Sequence, residues 1–417
     1  MSQSIRTQLL IVGGGPAGMM LGLLMARAGV NVVVLEKHGD FLRDFRGDTV
    51  HPSTLEVMYE LGLLDDFLKR PHQELRELSG VIGGVDVKIA DFSHVPSHCR
   101  FIALMPQWDF LDFLAEHAGR YPSFRLLMDA EATDLIESGG RITGVVAEAQ
   151  EGRLEFVADL VVGCDGRHSL MREQAHLPLI EFGVPIDVLW MKLSKSPTDS
   201  PTTLGRIGAG AIFVTLDRGD YWQCALVIAK GGAETLRALG LESFRRSIVN
   251  VAPSFADRVH ELQDWDQIKL LTVKVNRLRE WCRPGLLCIG DAAHAMSPIG
   301  GIGINLAIQD AVATANILAP IVRHGAPSLD DLKRVQQRRE FPARMTQKLQ
   351  MAVQDNVMTR MLALKENPKL PYAVKLLNRF PVLRRIPARV VGIGFRPEHV
   401  RSPVASEPKA AKPIAAE

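Results

Sequence analysis

Cysteine is scarce in this 417-residue chain, and its five copies are scattered: Cys99, Cys164, Cys224, Cys282 and Cys288. None forms a C-x-x-C pair and no histidine cluster accompanies them. That spacing argues against a zinc ribbon or a disulfide framework and points to buried reduced thiols in a cytosolic protein, with no metal site. An excess of one charge is also missing. The 49 Lys and Arg nearly cancel the 47 Asp and Glu, leaving a formal charge of +2. There is thus no electrostatic case for nucleic acid as the main partner. The chain lacks a long unbroken apolar run. Residues 9–35 come nearest, but Gly13, Gly14, Gly15, Pro16 and Gly18 interrupt them and Arg27 lies inside. Neither a signal peptide nor a membrane span fits that pattern. A soluble, cytoplasmic chain without internal repeats is expected, and its length exceeds what one core usually supports, so two lobes are expected.

The first elements are readable from local chemistry. Residues 8–12 form a short apolar run ending in glycines, which reads as a buried parallel strand. Residues 16–28 carry helix formers and stop at Gly29. Residues 31–35 are β-branched and read as a second strand, completing one βαβ unit. Residues 53–61 read as a helix capped by Ser53, with Glu56 at capping-box spacing. Residues 81–92 read as edge strands and residues 107–117 as an amphipathic helix. Several strands follow over residues 125–157, turned by Ser138-Gly139-Gly140. Residues 160–163 form another short buried strand. From 184 to 275 the texture is alternating strands broken by turns, with one helix near 241–251. This reads as an antiparallel sheet domain inserted into an α/β domain. Residues 285–289 return to buried-strand texture, and helices follow over 304–322 and 329–364.

Three motifs carry chemistry. In Gly13-x-Gly15-x-x-Gly18, the first glycine permits a tight turn, the second lets a pyrophosphate approach the backbone, and the third lets helix and strand pack closely. Pro16, Ala17 and Gly18 open the helix whose free N–H groups hold phosphate. Glu36, followed by Lys37, ends the second strand where a ribose hydroxyl ligand is expected, and a carboxylate there disfavours a 2′-phosphate. This motif does not separate FAD from NAD. Gly290-Asp291-Ala292-Ala293-His294 then follows a buried strand and precedes Pro298-Ile299-Gly300-Gly301-Ile302-Gly303-Ile304-Asn305. An Asp at a strand end suits a polyol hydroxyl, although it is also a common helix cap. A glycine-rich helix start aims N–H donors at an anionic ring atom. The third motif is Cys164-Asp165-Gly166-Arg167-His168-Ser169-Leu170-Met171-Arg172. Its local chemistry alone is a turn followed by a Ser-capped helix.

Taken in order, these motifs resemble the p-hydroxybenzoate hydroxylase family, the class A FAD-dependent aromatic monooxygenases, over roughly residues 8–345. The resemblance implies FAD as the resident cofactor, with Asp291 on the ribityl chain and Gly303, Ile304 and Asn305 facing the pyrimidine edge. It implies that Asp165 lies in the D-G-x-x-S-x-x-R segment that serves FAD and the transient nicotinamide donor, NADH or NADPH. It also implies Arg46 on the FAD phosphates and Gln107 against the flavin. For these two, a solvated surface arginine and an ordinary helix-opening residue are the plain alternatives. The implied reaction is hydroxylation of an aromatic or conjugated small molecule by molecular oxygen, through a flavin C4a-hydroperoxide.

The expected fold is a Rossmann-like FAD-binding domain in three pieces (1–75, 99–182, 273–345) with a substrate domain in two (76–98, 183–272). A C-terminal helical segment (346–400) and a disordered tail (401–417) complete it. Pro298, Gly300 and Gly301 are expected to wall the reaction chamber. Trp190, Arg206 and Trp222, with Met191 and Phe213, are candidates for the opposite wall, although core packing explains the large residues and a surface ion pair explains Arg206. His51 and His72 are further candidates near the cofactor. Two other enzyme classes share this scaffold. A flavin-dependent halogenase is disfavoured because no W-x-W-x-I-P segment is present. A reductase of polyprenyl double bonds stays open because residues 370–401 are basic and apolar, which suits a membrane surface or a greasy ligand, although a packed C-terminal cap with surface charges is the preferred reading of that stretch. An FAD-binding sensor is the non-enzymatic reading. A monomer or homodimer is expected.

Overall fold

The computed structural model describes residues 3–42, 49–199 and 204–405. Five parallel strands form its centre, in the order Phe124–Leu127, Val32–Leu35, Gln3–Val12, Gly152–Gly163 and Leu286–Cys288. In chain order that is third, second, first, fourth, fifth, the doubly wound arrangement of dinucleotide-binding sheets. Burial explains the strand compositions. Val32–Leu35 is covered on both faces, and Leu9, Leu10 and Ile11 are wholly buried. Such strands read as continuous apolar runs because helices cover both sides. The helices Pro16–Arg27 and Ile302–Val322 pack against each other in the same core. The stretch Ile299–Val322 is long and apolar enough to cross a membrane, but most of it is buried inside the protein. It is a core helix.

A hairpin, Glu131–Ser138 and Arg141–Ala149, adds to this sheet antiparallel to the first half of Gly152–Gly163. Gly139 and Gly140 both have positive φ, 58° and 75°, which a two-residue hairpin turn needs.

The second sheet has seven strands in the order Lys269–Leu271, Ile186–Ser194, Tyr221–Ala229, Ala211–Asp217, Leu204–Gly208, Glu77–Ile82 and Val85–Asp91. It is not wholly antiparallel. Leu204–Gly208 runs parallel to Glu77–Ile82. At that seam a Cβ on Gly80 would lie 2.6 Å from the Gly205 carbonyl oxygen, so glycine permits the close pairing. One face of the sheet carries Met191, Phe213 and Trp222 against Phe244 and Ile248 of the helix Leu241–Val251. The other face carries Val188, Ile212 and Val227, with Trp190 and Val214 packed beside them, against Ile299, Met358 and Met361.

Two details depart from the sequence reading. Ser53 does not cap its helix. Pro52–Glu60 starts one residue earlier with His51 as N-cap, and no side-chain cap bond forms. Pro52 fits that first position because it has no N–H to leave unpaired. Glu56 is turned instead to Ser97 and His98. The long helix expected over 329–364 is present: Leu329–Val353 continues through a π turn at Gln354–Met358 into Thr359–Leu362. Residues 402–405 are packed rather than loose. Ser402 is buried, its carbonyl accepts from Arg27 at 3.3 Å, and the Ala405 N–H donates to the Arg27 carbonyl at 3.1 Å.

Candidate active site

Four of the five parallel strands deliver a motif residue at or just beyond their carboxyl ends: Gly13 and Glu36 directly follow Val12 and Leu35, and Asp165 and Asp291 come two and three residues after Gly163 and Cys288. The strand order reverses between Gln3–Val12 and Gly152–Gly163, and the crevice outside such a reversal is where doubly wound sheets take ligands.

The three glycines of the first turn differ in their surroundings. Gly13 has φ 104°, and a Cβ there would lie 2.4 Å from the Cys164 carbonyl oxygen. A Cβ on Gly18 would lie 2.0 Å from the Gly13 carbonyl oxygen. These two glycines are forced by packing. Gly15 is different: a Cβ there would meet nothing within 4 Å. The open space lies at the N-cap of Pro16–Arg27, which has no side-chain cap. The first N–H groups of a helix have no intrahelical partner, so Ala17 and Gly18 present donors beside that opening. The turn therefore fits a pyrophosphate. The Glu36 carboxylate borders it, accepting from the Gly14 N–H at 3.0 Å and the His38 N–H at 3.2 Å. Lys37 sits apart, largely exposed and 3.8 Å from Glu131.

Asp165 is buried. Its Oδ2 accepts the Met171 N–H at 3.0 Å, while Oδ1 has no partner among the described residues. Burial raises its carboxyl above the usual range. Ser169 caps the helix Leu170–Gln174 through the Arg172 N–H. The Arg172 guanidinium bonds the carbonyls of Ala292 and Arg167, each at 3.0 Å. This segment is thus a clip holding the two strand ends together. Arg167 reaches Asp291 at 3.5 Å, and the Asp291 side chain is about one-third exposed at the crevice.

Behind Asp291 lies a buried charge network that the sequence reading missed. Asp310 accepts the Gly290 N–H at 3.1 Å, the His294 Nε2–H at 2.6 Å and the Arg339 Nε–H at 2.9 Å. Burial pushes this carboxyl up, but the charges and hydrogen bonds of His294 and Arg339 outweigh it and leave it below the ordinary value. Arg339 continues to Glu398 at 3.3 Å, so the C-terminal segment is tied to the Gly290-Asp291 turn.

The following loop is held by glutamines. Gln350 accepts the Ser297 N–H at 3.1 Å and donates to the Ser297 and Ile299 carbonyls, each at 2.9 Å. Gln354 donates to the Ser297 hydroxyl at 2.8 Å. Gln347 donates to the carbonyls of Asn276 and Ala295. Spaced three and four residues apart, the three lie on one buried helix face. Buried glutamines inside an amphipathic helix were the sequence signal, and only the fold reveals what they bind.

The loop ends in two left-handed glycines, Gly300 and Gly301, at φ 75° and 61°. A Cβ on Gly301 would lie 2.1 Å from Thr49 Oγ1, whose hydroxyl donates to the Gly301 carbonyl at 3.0 Å. Helix Ile302–Val322 then begins, and a Cβ on Gly303 would meet only Met296 Cβ, at an ordinary contact distance of 3.9 Å. Its first N–H groups, including those of Gly303 and Ile304, are aimed as a helix start aims them. The Asn305 side chain is committed to the protein. Its Oδ1 accepts from the His51 N–H and the Thr54 hydroxyl, and its Nδ2 donates to the Thr49 and Gly301 carbonyls. It braces the helix start and has no valence left for a ring atom. Pro298 precedes the short 3-10 turn of this loop.

The remaining candidates divide. Gln107 opens the helix Gln107–Ala118. Arg46 lies outside the described residues. His51 is buried, bonded to the Val391 carbonyl at 2.8 Å, and His72 bonds the Arg70 carbonyl. Trp190 lies on the sheet face that meets Ile299. Trp222, only 4% exposed, lies on the opposite face, and its Nε1–H donates to Asp199 at 2.8 Å. Met191 and Phe213 share that outer face. Arg206 pairs directly across from Phe213, and directly opposed residues share a face, so it also points away from Ile299. Of these five, only Trp190 reaches the inner wall. Among the described residues the five cysteines are free and buried, and no group of His, Cys, Asp or Glu is placed to hold a metal ion.

Fold and site together define an FAD-dependent oxidoreductase of the doubly wound type. A family model described as "FAD binding domain" matches residues 6–349. The chain is 32% identical over 405 residues to a 6-methylpretetramide 4-monooxygenase of Streptomyces rimosus, covering 96% of each protein. It is 28% identical to a dialkyldecalin synthase of Streptomyces rugosporus over 76% of this chain and 66% of that one. The structure of Pseudomonas aeruginosa PqsL in complex with 2-aminobenzoylacetate superposes with a TM-score of 0.74 at 23% identity, covering 86% and 99% of the two chains. The chain belongs to the FAD-binding-domain family, as a class A flavoprotein monooxygenase of the aromatic-hydroxylase type.

Proposed function

We propose that this enzyme spends NADH or NADPH and molecular oxygen to hydroxylate a phenolic ring within a fused polycyclic aromatic compound. The observation that carries the substrate class is the inner face of the second sheet. Val188, Ile212, Val214 and Val227, with Trp190, make an apolar face bordered by Ile299 of the clamped loop and by Met358 and Met361. A flat, rigid hydrocarbon surface suits such a wall, with few polar groups fixing its orientation. A relative of matching length is named a 6-methylpretetramide 4-monooxygenase, and that name supports the same reading.

Bound FAD, once reduced, supplies the activation of oxygen. The rest falls to the chain. The N–H groups of Ala17 and Gly18 hold the pyrophosphate at the open Gly15 position. Glu36 takes a ribose hydroxyl and Asp291 a ribityl hydroxyl. The start of Ile302–Val322 offers backbone donors to the pyrimidine edge, where a helix dipole favours negative charge. Pro298, Gly300 and Gly301 form a wall that keeps water from the reacting atoms. Gln347, Gln350 and Gln354 hold that wall in place. No side chain is required as the general base for oxygen activation.

The test is NAD(P)H oxidation by the yellow, FAD-loaded protein against a panel of polycyclic phenols, simple phenols and polyprenyl compounds. The proposal expects the fastest oxygen-consuming oxidation with polycyclic phenols. Anaerobic turnover of a polyprenyl compound, or strict dependence on halide, would overturn it.

A further inference from the structure

The C-terminal helices expose an apolar, basic face that the catalytic account does not use. Residues 365–396 contain eight Lys or Arg and one Glu, a formal +7 in a chain whose total is +2. The helix Tyr372–Arg379 has no buried residue. Its Tyr372 is 80% exposed, and Leu376, four residues on and therefore on the same helix face, is exposed too. Phe380 continues that line, and beyond it Val382 and Ile386 are 59% and 64% exposed. Lone surface apolar residues need no explanation, but a contiguous set rimmed by charges marks an interaction site.

The segment is anchored from behind. The helix Tyr372–Arg379 and the next one, Arg385–Gly392, both pack on the edge strand Val85–Asp91. Asn378 bonds that strand's backbone through the Lys88 N–H at 3.2 Å and the Asp86 carbonyl at 3.3 Å. Arg384 caps the first helix by donating to the Leu377 and Asn378 carbonyls. The edge strand is thus covered, as exposed edges usually are, and the apolar residues are held outward on a fixed platform.

We propose that this face binds an anionic lipid bilayer. Amphipathic helices with aromatic and aliphatic residues on one side and Lys/Arg beside them are the chemistry that lies flat in a headgroup layer. Clustered basic residues draw such a segment to acidic lipid. Protruding side chains suit a deformable surface, which needs no matching pockets. A second copy of this chain is a poorer occupant, because a two-fold contact places the same +7 segment against itself. The platform adjoins the substrate sheet: the turn that precedes it packs Met358 and Met361 on the sheet's inner face. Membrane attachment places the rim of that sheet at the lipid, where an apolar substrate partitions. This last consequence rests on the hydroxylase reading; the binding does not.

The experiment is co-sedimentation of the full, FAD-loaded chain with vesicles of phosphatidylcholine alone or mixed with phosphatidylglycerol. Binding is expected only to the anionic vesicles, and it should fall as salt rises. Lys375→Glu with Arg379→Glu should weaken it by roughly tenfold or more. Tyr372→Ser with Ile386→Ser should also weaken it. Both double variants should keep flavin absorbance and melting temperature, since the altered side chains are exposed. No binding to anionic vesicles at low salt overturns the proposal. So does binding that neither variant changes, or equal binding to both vesicle types. If the variants instead convert a dimer to a monomer in sedimentation without any vesicle binding, a second copy occupies the face and the proposal fails. Salt-sensitive capture of an acidic protein, with no vesicle binding, likewise overturns it.

Discussion

Gln350 brackets the peptide of Ser297: it accepts the Ser297 N–H at 3.1 Å and donates back to the Ser297 carbonyl at 2.9 Å. A side chain on the C-terminal helix thereby fixes the loop that leads into Gly300 and Gly301. Gln350→Leu leaves buried polar groups unpaired, at about 1–3 kcal/mol for each. The expected outcome is FAD retained but more peroxide released per NAD(P)H oxidised, with Gln350→Glu intermediate. Peroxide and product counted together in one assay check this. Unchanged coupling in Gln350→Leu, with only a lower melting temperature, would reduce the glutamine to a packing residue.

Gly15 and Gly18 separate cofactor binding from folding. A Cβ at Gly15 meets nothing, whereas one at Gly18 meets the Gly13 carbonyl oxygen. Gly15→Ala should leave the FAD-free protein within about 1 kcal/mol of the parent, yet weaken FAD because the methyl fills the space the pyrophosphate needs. Gly18→Ala should destabilise the FAD-free protein by about 1–3 kcal/mol through overpacking. Thermal melting of FAD-free protein beside an FAD titration distinguishes them. Equal FAD affinity in Gly15→Ala and the parent removes the assigned role.

His51 predicts a pH dependence. Burial holds its imidazole down to about 4, against a weaker upward pull from the Val391 carbonyl. An unfolded chain titrates its histidines near 6.5. Between those values the unfolded state takes up a proton that the folded state refuses. Stability should therefore fall as pH drops from about 6.5 towards 4, by about 3 kcal/mol in total from this group. His51→Asn, which keeps a donor for Val391, should flatten that part of the stability profile. An unaltered profile would place the acid sensitivity elsewhere.

Trp190 and Trp222 test which face of the second sheet meets substrate. Trp190→Ala should raise the KM for substrate and lower coupling with FAD intact. Trp222→Ala should cost about 3–5 kcal/mol of stability with little change in KM, because its indole is spent on Asp199. Arg206→Ala should leave KM unchanged. The reverse pattern in steady-state kinetics would put the chamber on the outer face.

The parts of this structure that were legible in the sequence are those in which chemistry and chain position coincide. Gly13, Gly15 and Gly18 each answer a separate local requirement, and the buried strands announce themselves by composition. The sheet faces were not legible in the same way. Alternation shows that Trp190 and Met191 lie on opposite sides, but not which side faces Ile299 and which faces the helix Leu241–Val251. Asn305 was identified as part of the helix start, but its side-chain bonds to Thr49, His51 and Thr54 were not legible, because they span some 250 residues of sequence. Asp310, Arg339 and the glutamines escaped notice because their partners come from distant strands and loops. Ser53 carried a genuine cap pattern and lost to Pro52, which begins the helix one residue earlier. Ser402 lay in a stretch of tail-like composition, but its carbonyl is bound by Arg27.

The central claim is tested most directly by supplying the FAD-loaded enzyme with NAD(P)H, a polycyclic phenol and isotopically labelled molecular oxygen, then weighing the product. The account predicts one labelled oxygen atom on the ring of the product. A product formed at full rate with oxygen drawn from water, or formed equally well without oxygen, would contradict it.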